Sequence, residues 1–190
     1  MARVDEPHVA PLNQLVRKIR LEAGLESEVP YFDPYDGGME ARCLFLLEAP
    51  GPRAVASGFV SRNNPDETAK NFLLLNREAA LDRALTVSWN IVPWYIGTGS
   101  KIRPASSEDI ARGLPYLEPL LASLPKLRVV VLVGRKAQRA ETRVRELSPS
   151  AEVVHMFHPS PLVLNTNRAT RQVILGVLNR VAAMVAPAAM

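Results

Sequence analysis

His158 lies in the run Phe157-His158-Pro159-Ser160-Pro161-Leu162, directly after the apolar stretch Ala151–Met156. Each proline fixes its own φ and biases the residue before it towards extended backbone. His158 and Ser160 are therefore expected to be extended, with Leu162 projecting just beyond them. An imidazole held at a strand end can donate a hydrogen bond to charge that develops on a ligand, or move a proton. Two further polar groups close other apolar runs. Glu48, in Glu48-Ala49-Pro50-Gly51, is a carboxylate able to orient or deprotonate water. Asn90, in Asn90-Ile91-Val92-Pro93, carries an amide that both accepts and donates. Each has a structural alternative. His158 can bond a backbone carbonyl, Glu48 the N–H groups of its own loop, and Asn90 can be a turn residue.

The elements that must position these groups follow from hydrophobic patterning. Arg42–Glu48 and Arg128–Val133 are continuous apolar runs of strand length, as expected for strands buried on both faces. Thr86–Asn90 and Glu152–Met156 complete a set of four strands. Val9–Leu25 has helical spacing, with Leu12, Leu15, Val16 and Ile19 on one face and Gly24 at its end. Asn64-Pro65-Asp66-Glu67 predicts a helix start capped by Asn64, with Pro65 at the first helical position. That helix runs to about Leu75, and a second piece reaches Leu85. Ser106-Ser107-Glu108-Asp109 opens another helix, broken by Gly113, Pro115 and Pro119. A basic helix spans Arg135–Leu147. Asn165–Met184 closes the chain as one helix with Val173, Ile174, Val177, Leu178 and Val181 buried. Pro30–Gly38 reads as a long ordered loop, and Ile91–Pro104 as a loop carrying Trp94 and Tyr95. Strands alternating with helices predict a three-layer α/β/α sandwich around a central, mostly parallel four-stranded sheet. Residues 1–190 read as a single domain, with residues 1–40 an N-terminal helix and loop and 185–190 a frayed tail. In an open parallel sheet ligands sit beyond the carboxyl ends of the strands, where Glu48, Asn90 and His158 all fall.

Composition sets outer limits. A chain of 190 residues with 47% hydrophobic content suits one folded core and neither a disordered nor a membrane-embedded protein. No run is long enough for a membrane helix, and residues 1–7 lack a secretory apolar core. Cys43 is the only cysteine, which excludes an intramolecular disulfide and any four-thiolate metal site. A cytoplasmic, reducing setting is expected, with no metal, cofactor or membrane partner. The net charge of +4 permits a polyanionic partner without requiring one.

Taken in order, these motifs resemble the uracil-DNA glycosylase superfamily, over roughly Arg42 to the C-terminus. Leu47-Glu48-Ala49-Pro50-Gly51 resembles the water-positioning loop of its iron–sulfur branch. Gly58-Phe59-Val60 resembles the segment whose ring stacks on the extracted base, and Ser88-Trp89-Asn90 the strand end whose Asn reads the pyrimidine edge. His158-Pro159-Ser160-Pro161-Leu162 is similar to the leucine loop of the uracil-specific branch, and Val129–Gly134 to the strand–glycine–helix segment between. The chain departs from both branches. It has one cysteine where the iron–sulfur branch carries four, and Ala49 and Gly51 stand where the uracil-specific branch carries Asp and Tyr.

The resemblance implies a monofunctional DNA glycosylase of base excision repair. It would hydrolyse the bond between uracil and deoxyribose by base flipping, leaving an abasic site and releasing free uracil. His158 and Glu48 would be catalytic, Asn90, Phe59 and Ala49 would hold uracil, and Ser160, Pro161, Leu162, Arg62 and Arg168 would contact DNA. Lys70, Lys101, Arg103 and Arg171 flank the motifs as further phosphate contacts. Uracil-containing DNA is the expected partner of a monomer. The alternative is a protein that binds lesions or abasic sites with little turnover. A nucleotide or phosphate-ester enzyme using Ala49-Pro50-Gly51 as an anion cradle ranks lower, because no phosphate-loop Lys-Ser/Thr follows.

Overall fold

The computed structural model describes residues 3–24, 28–98 and 101–186. Its centre is a four-stranded parallel sheet built from β2 (Cys43–Leu47), β4 (Thr86–Asn90), β7 (Val129–Val133) and β8 (Glu152–Met156), in the order β4-β2-β7-β8. The two apolar runs are the inner strands, as expected for strands with both faces covered. Alternation assigns every second side chain to one layer. Leu44, Leu46, Val87, Trp89, Val130 and Leu132 face α1 (Ala10–Ala23), α4 (Ser107–Gly113), α5 (Leu117–Ala122), α6 (Gly134–Ala137) and α7 (Glu141–Leu147). Cys43, Phe45, Val129, Val131, Val133, Val154 and Met156 face α3 (Glu67–Glu78) and α9 (Arg168–Val185). The three-layer α/β/α sandwich is therefore the observed architecture.

Several local expectations change. Pro50-Gly51-Pro52 leads into a short helix, α2 (Pro52–Ser57), with Pro52 in its first turn. The Pro30–Gly38 loop contains β1 (Tyr31–Phe32), which pairs in parallel with β3 (Phe59–Val60). The loop after β4 holds a hairpin of β5 (Gly97–Thr98) and β6 (Lys101–Ile102). The cap of α3 is Asp66, which accepts from the Ala69 N–H at 2.9 Å. Asn64 lies two residues before that cap, and its amide donates to the Phe59 carbonyl at 3.0 Å. The basic helix is interrupted between α6 and α7, and the closing helix is two: α8 (Pro161–Thr166) and α9, split where Asn167 caps the Ala169 N–H. Val173 is 50% exposed, since the seam of α9 runs through Ile174, Leu178, Val181 and Val185. Gly24, at φ 65°, ends α1 as expected; Leu25 and residues 187–190 of the expected tail lie outside the described residues.

A buried charge network ties the loop before β2 to the segment after β3. Arg62 Nη2 donates to Asp36 Oδ1 at 2.7 Å and to Thr86 Oγ1 at 2.7 Å, and both Arg62 and Asp36 are buried. Arg83 joins Asp36 at 2.7 Å and also pairs with Asp33, which accepts from Ser61. Removing one member of such a pair leaves an uncompensated charge away from water. Asp36→Ala is expected to destabilise the fold by about 3–5 kcal/mol, against less than about 1 kcal/mol for Arg143→Ala at an exposed pair. Urea unfolding midpoints measure both.

Candidate functional site

The sheet brings the polar strand ends to one rim. In the β2–β4 register Leu47 pairs with Asn90, and the pairing continues beyond the strands: the Ile91 N–H donates to Leu47 at 2.8 Å and the Val92 N–H to Glu48 at 3.0 Å. Glu48 and Asn90 are thus locked side by side. His158 follows β8 and is set by two packing constraints. Gly134, at φ 81°, leaves room for the ring: a Cβ there would lie 3.3 Å from the His158 Cβ. Asn71 of α3 donates to the Pro159 carbonyl at 3.1 Å, pinning the proline turn.

Glu48, Asn90 and His158 all line a single cavity of about 620 Å³, together with Ala49, Pro50, Gly51, Ser160 and Leu162. Asn90 is 3% exposed, and among the described residues its Nδ2 has no hydrogen-bond partner. A buried amide N–H left open in this way is able to donate to a group that enters the cavity. Glu48 Oε1 accepts from the Ala105 N–H at 2.6 Å, and Lys136 Nζ donates to the Ala105 carbonyl at 2.6 Å. The carboxylate therefore braces the far wall with one oxygen and keeps the other. Burial lowers the His158 pKa, outweighing the nearby Glu48 and Asp66 charges, so the imidazole is neutral at pH 7. Ser160 is extended and precedes α8 without spending its hydroxyl on a cap. Pro161 fills the first helical position outside the cavity lining, and Leu162 stands at the mouth 81% exposed.

Other expected site residues fall elsewhere. Phe59 is outside the cavity lining; pairing of Phe59 with Tyr31 turns its ring towards Tyr31, 6.5 Å between centroids, and alternation gives the cavity side to Val60. The aromatic ring in the lining is Phe72 of α3. Arg62 is buried in the charge network rather than presented to phosphate. The side chains of Arg168 and Lys101 lie outside the described residues. Arg103 is held bidentately by Asp109, Arg171 by Glu78, and Lys70 lies 3.5 Å from Glu67. His155 bonds Glu141 at 2.8 Å, and His8 is half-buried against the Pro34 carbonyl. Sequence reading missed Asp66, a second carboxylate in the lining, and Arg53, an exposed cation at the mouth with no ion pair among the described residues. The signal for Asp66 was present in its helix-capping position.

Comparison with known proteins bears on the family and the fold. A family model described as the uracil DNA glycosylase superfamily matches residues 34–182. A solution structure of a candidate uracil DNA glycosylase from Methanosarcina acetivorans matches with a TM-score of 0.52 at 16% identity, covering 75% of this chain and 91% of that one. At that identity the likeness concerns the fold. No curated protein matches.

The depressed pKa of His158 has a consequence for stability. Between the folded value and the ordinary unfolded value of about 6.5 the unfolded chain binds the extra proton. The stabilisation from keeping His158 neutral is thus present above about pH 6.5 and is lost as pH falls through the folded value. Unfolding midpoints at pH 7 and pH 5 should fall further for the wild type than for His158→Gln; equal falls would contradict a buried neutral imidazole.

Proposed function

Because this chain belongs to the uracil DNA glycosylase superfamily, we propose that it is a monofunctional DNA glycosylase that hydrolyses the N-glycosidic bond of uracil in DNA. The observation that carries this reading is the convergence of Glu48, Asn90 and His158 on one cavity. When the bond from N1 of uracil to C1′ breaks, the electron pair goes to the base and the sugar becomes electron-poor. Neutral His158 donates a hydrogen bond to the carbonyl oxygen on which negative charge gathers. Asn90 holds the pyrimidine edge, donating to a carbonyl and accepting from the ring N–H. Water adds to C1′, with Glu48 orienting it and taking its proton through the oxygen not bound to Ala105. Phe72 offers the apolar wall for the ring in place of Phe59, and Ala49 lines the cavity beside it.

A base inside a duplex must first leave the stack, at a cost of a few kcal/mol. In this reading Leu162, 81% exposed and in the cavity lining, fills the vacated space as an apolar wedge. Ser160 and Arg53 are the phosphate contacts this surface offers. Among the described residues no lysine lines the cavity, and the proposed reaction includes no strand cleavage.

Incubation with a uracil-containing oligonucleotide, followed by alkaline cleavage of abasic sites, tests this directly. The wild type should yield product, and His158→Ala should lower turnover by about 10²–10³-fold while leaving DNA affinity nearly intact. Leu162→Ala should slow reaction on a well-paired duplex far more than on single-stranded DNA. No product beside an active control enzyme would refute the reading, and tight abasic-site binding without release would favour a lesion-binding protein.

A further inference from the structure

The short helix α6 touches both ends of the candidate chemistry within one turn. Gly134 lies against His158, where a Cβ would come within 3.3 Å of the His158 Cβ. Two residues on, Lys136 Nζ donates to the Ala105 carbonyl at 2.6 Å, and the Ala105 N–H donates to Glu48 Oε1 at 2.6 Å. Lysine commonly buries its stem and leaves its ammonium in water. Here the side chain is half-buried, its ammonium is committed to a residue 1% exposed, and no carboxylate pairs with it among the described residues. Lys136 stands outside the cavity lining, so its reach to the site is through Ala105.

Ala105 sits in a segment whose other bonds are mostly local. Pro104 has no N–H. The Ser106 N–H donates to Asp109 Oδ2 at 2.8 Å, and Arg103 is held by the same Asp109. Those bonds close within residues 103–109 and move with them. The ties to the helices after β7 are Lys136 on Ala105 and, at the surface, Arg139 Nη1 on Ser107 at 3.1 Å. The carbonyl and the N–H of Ala105 belong to two rigid peptide groups that meet at one Cα. Holding the carbonyl limits rotation about that Cα and so fixes the direction of the N–H. The N–H in turn holds one oxygen of Glu48. The two oxygens of a carboxylate are rigidly joined, so the direction of the second follows from the first.

Resting on the glycosylase reading, we propose that Lys136 is a positioning residue for the hydrolytic step: it fixes Ala105, Ala105 aims Glu48, and the free carboxylate oxygen is thereby held towards the water that adds to C1′. A misplacement of about 1 Å at a reacting group costs about 10²-fold in rate, and loss of a single anchor is expected to cost about tenfold. Affinity for DNA does not pass through Ala105 and is set elsewhere. A lysine that merely anchored residues 103–106 would matter to the same degree whether or not Glu48 were present. A lysine that met phosphate would strengthen DNA binding and make it more salt-dependent.

The test is single-turnover release of uracil from an oligonucleotide by the full chain at saturating protein, with affinity for the same oligonucleotide measured separately. Lys136→Met should slow release about tenfold, with DNA affinity and thermal midpoint near those of the wild type. Lys136→Arg, which keeps a cationic donor, should recover most of the rate. Lys136→Gln, neutral and shorter, should show the same loss and replaces Lys136→Met if that variant does not fold. In a Glu48→Ala background Lys136→Met should slow release by less than about twofold, because no carboxylate remains to be aimed. Equal losses in the two backgrounds, a wild-type rate for the Met and Gln variants, or weakened DNA affinity in place of a slower step would each overturn the positioning role. Release by Glu48→Ala at the wild-type rate would also overturn it while leaving the glycosylase reading standing. No release by the wild type beside an active control enzyme would overturn that reading and this inference with it.

Discussion

Parallel register between Cys43–Leu47 and Thr86–Asn90 is the constraint on which the site depends. Side chains alternate along a strand, so a slip by one residue would carry Asn90 to the opposite face and Ser88 with it. The hydrogen bonds from Ile91 to Leu47 and from Val92 to Glu48 extend this register past the strand ends. They hold the carboxylate and the amide at fixed separation while both remain open to the cavity. The neighbouring β7–β8 register, pairing Val133 with Met156, delivers the His158 turn to the same rim.

Around that rim, backbone polar groups and charges fix the walls. Glu48 and Lys136 hold the N–H and the carbonyl of Ala105, Asn71 holds Pro159, and Asp66 caps α3 while lining the cavity. The buried pair of Arg62 and Asp36 joins the cavity lining to the loop before β2. Such pairs add little net stability over apolar replacements, but losing one partner is severe.

The strands were legible because β2 and β7 are apolar without interruption, a pattern that strands buried on both faces produce and amphipathic helices do not. His158 was legible because two prolines restrict it, and Asn90 and Glu48 because strand ends converge in this architecture. Other features left no local trace. Arg62 reads as a surface cation; its burial depends on Asp36, 26 residues away in sequence. The orientation of Phe59 depends on a two-residue pairing with Tyr31 that no alternation in either segment announces. The break between α8 and α9 lies in Asn165-Thr166-Asn167, where any of the polar residues serves as a cap until geometry selects Asn167.

The central claim is that Asn90 and His158 grip the same small, flat base. Titration of isotopically labelled protein with free uracil, followed by nuclear magnetic resonance, tests it most directly. The side-chain amide of Asn90 and the ring of His158 should shift together with one midpoint, while the ring of surface-exposed His155 stays unmoved. Different midpoints for the two groups, or shifts confined to other parts of the chain, would contradict a common base-binding site.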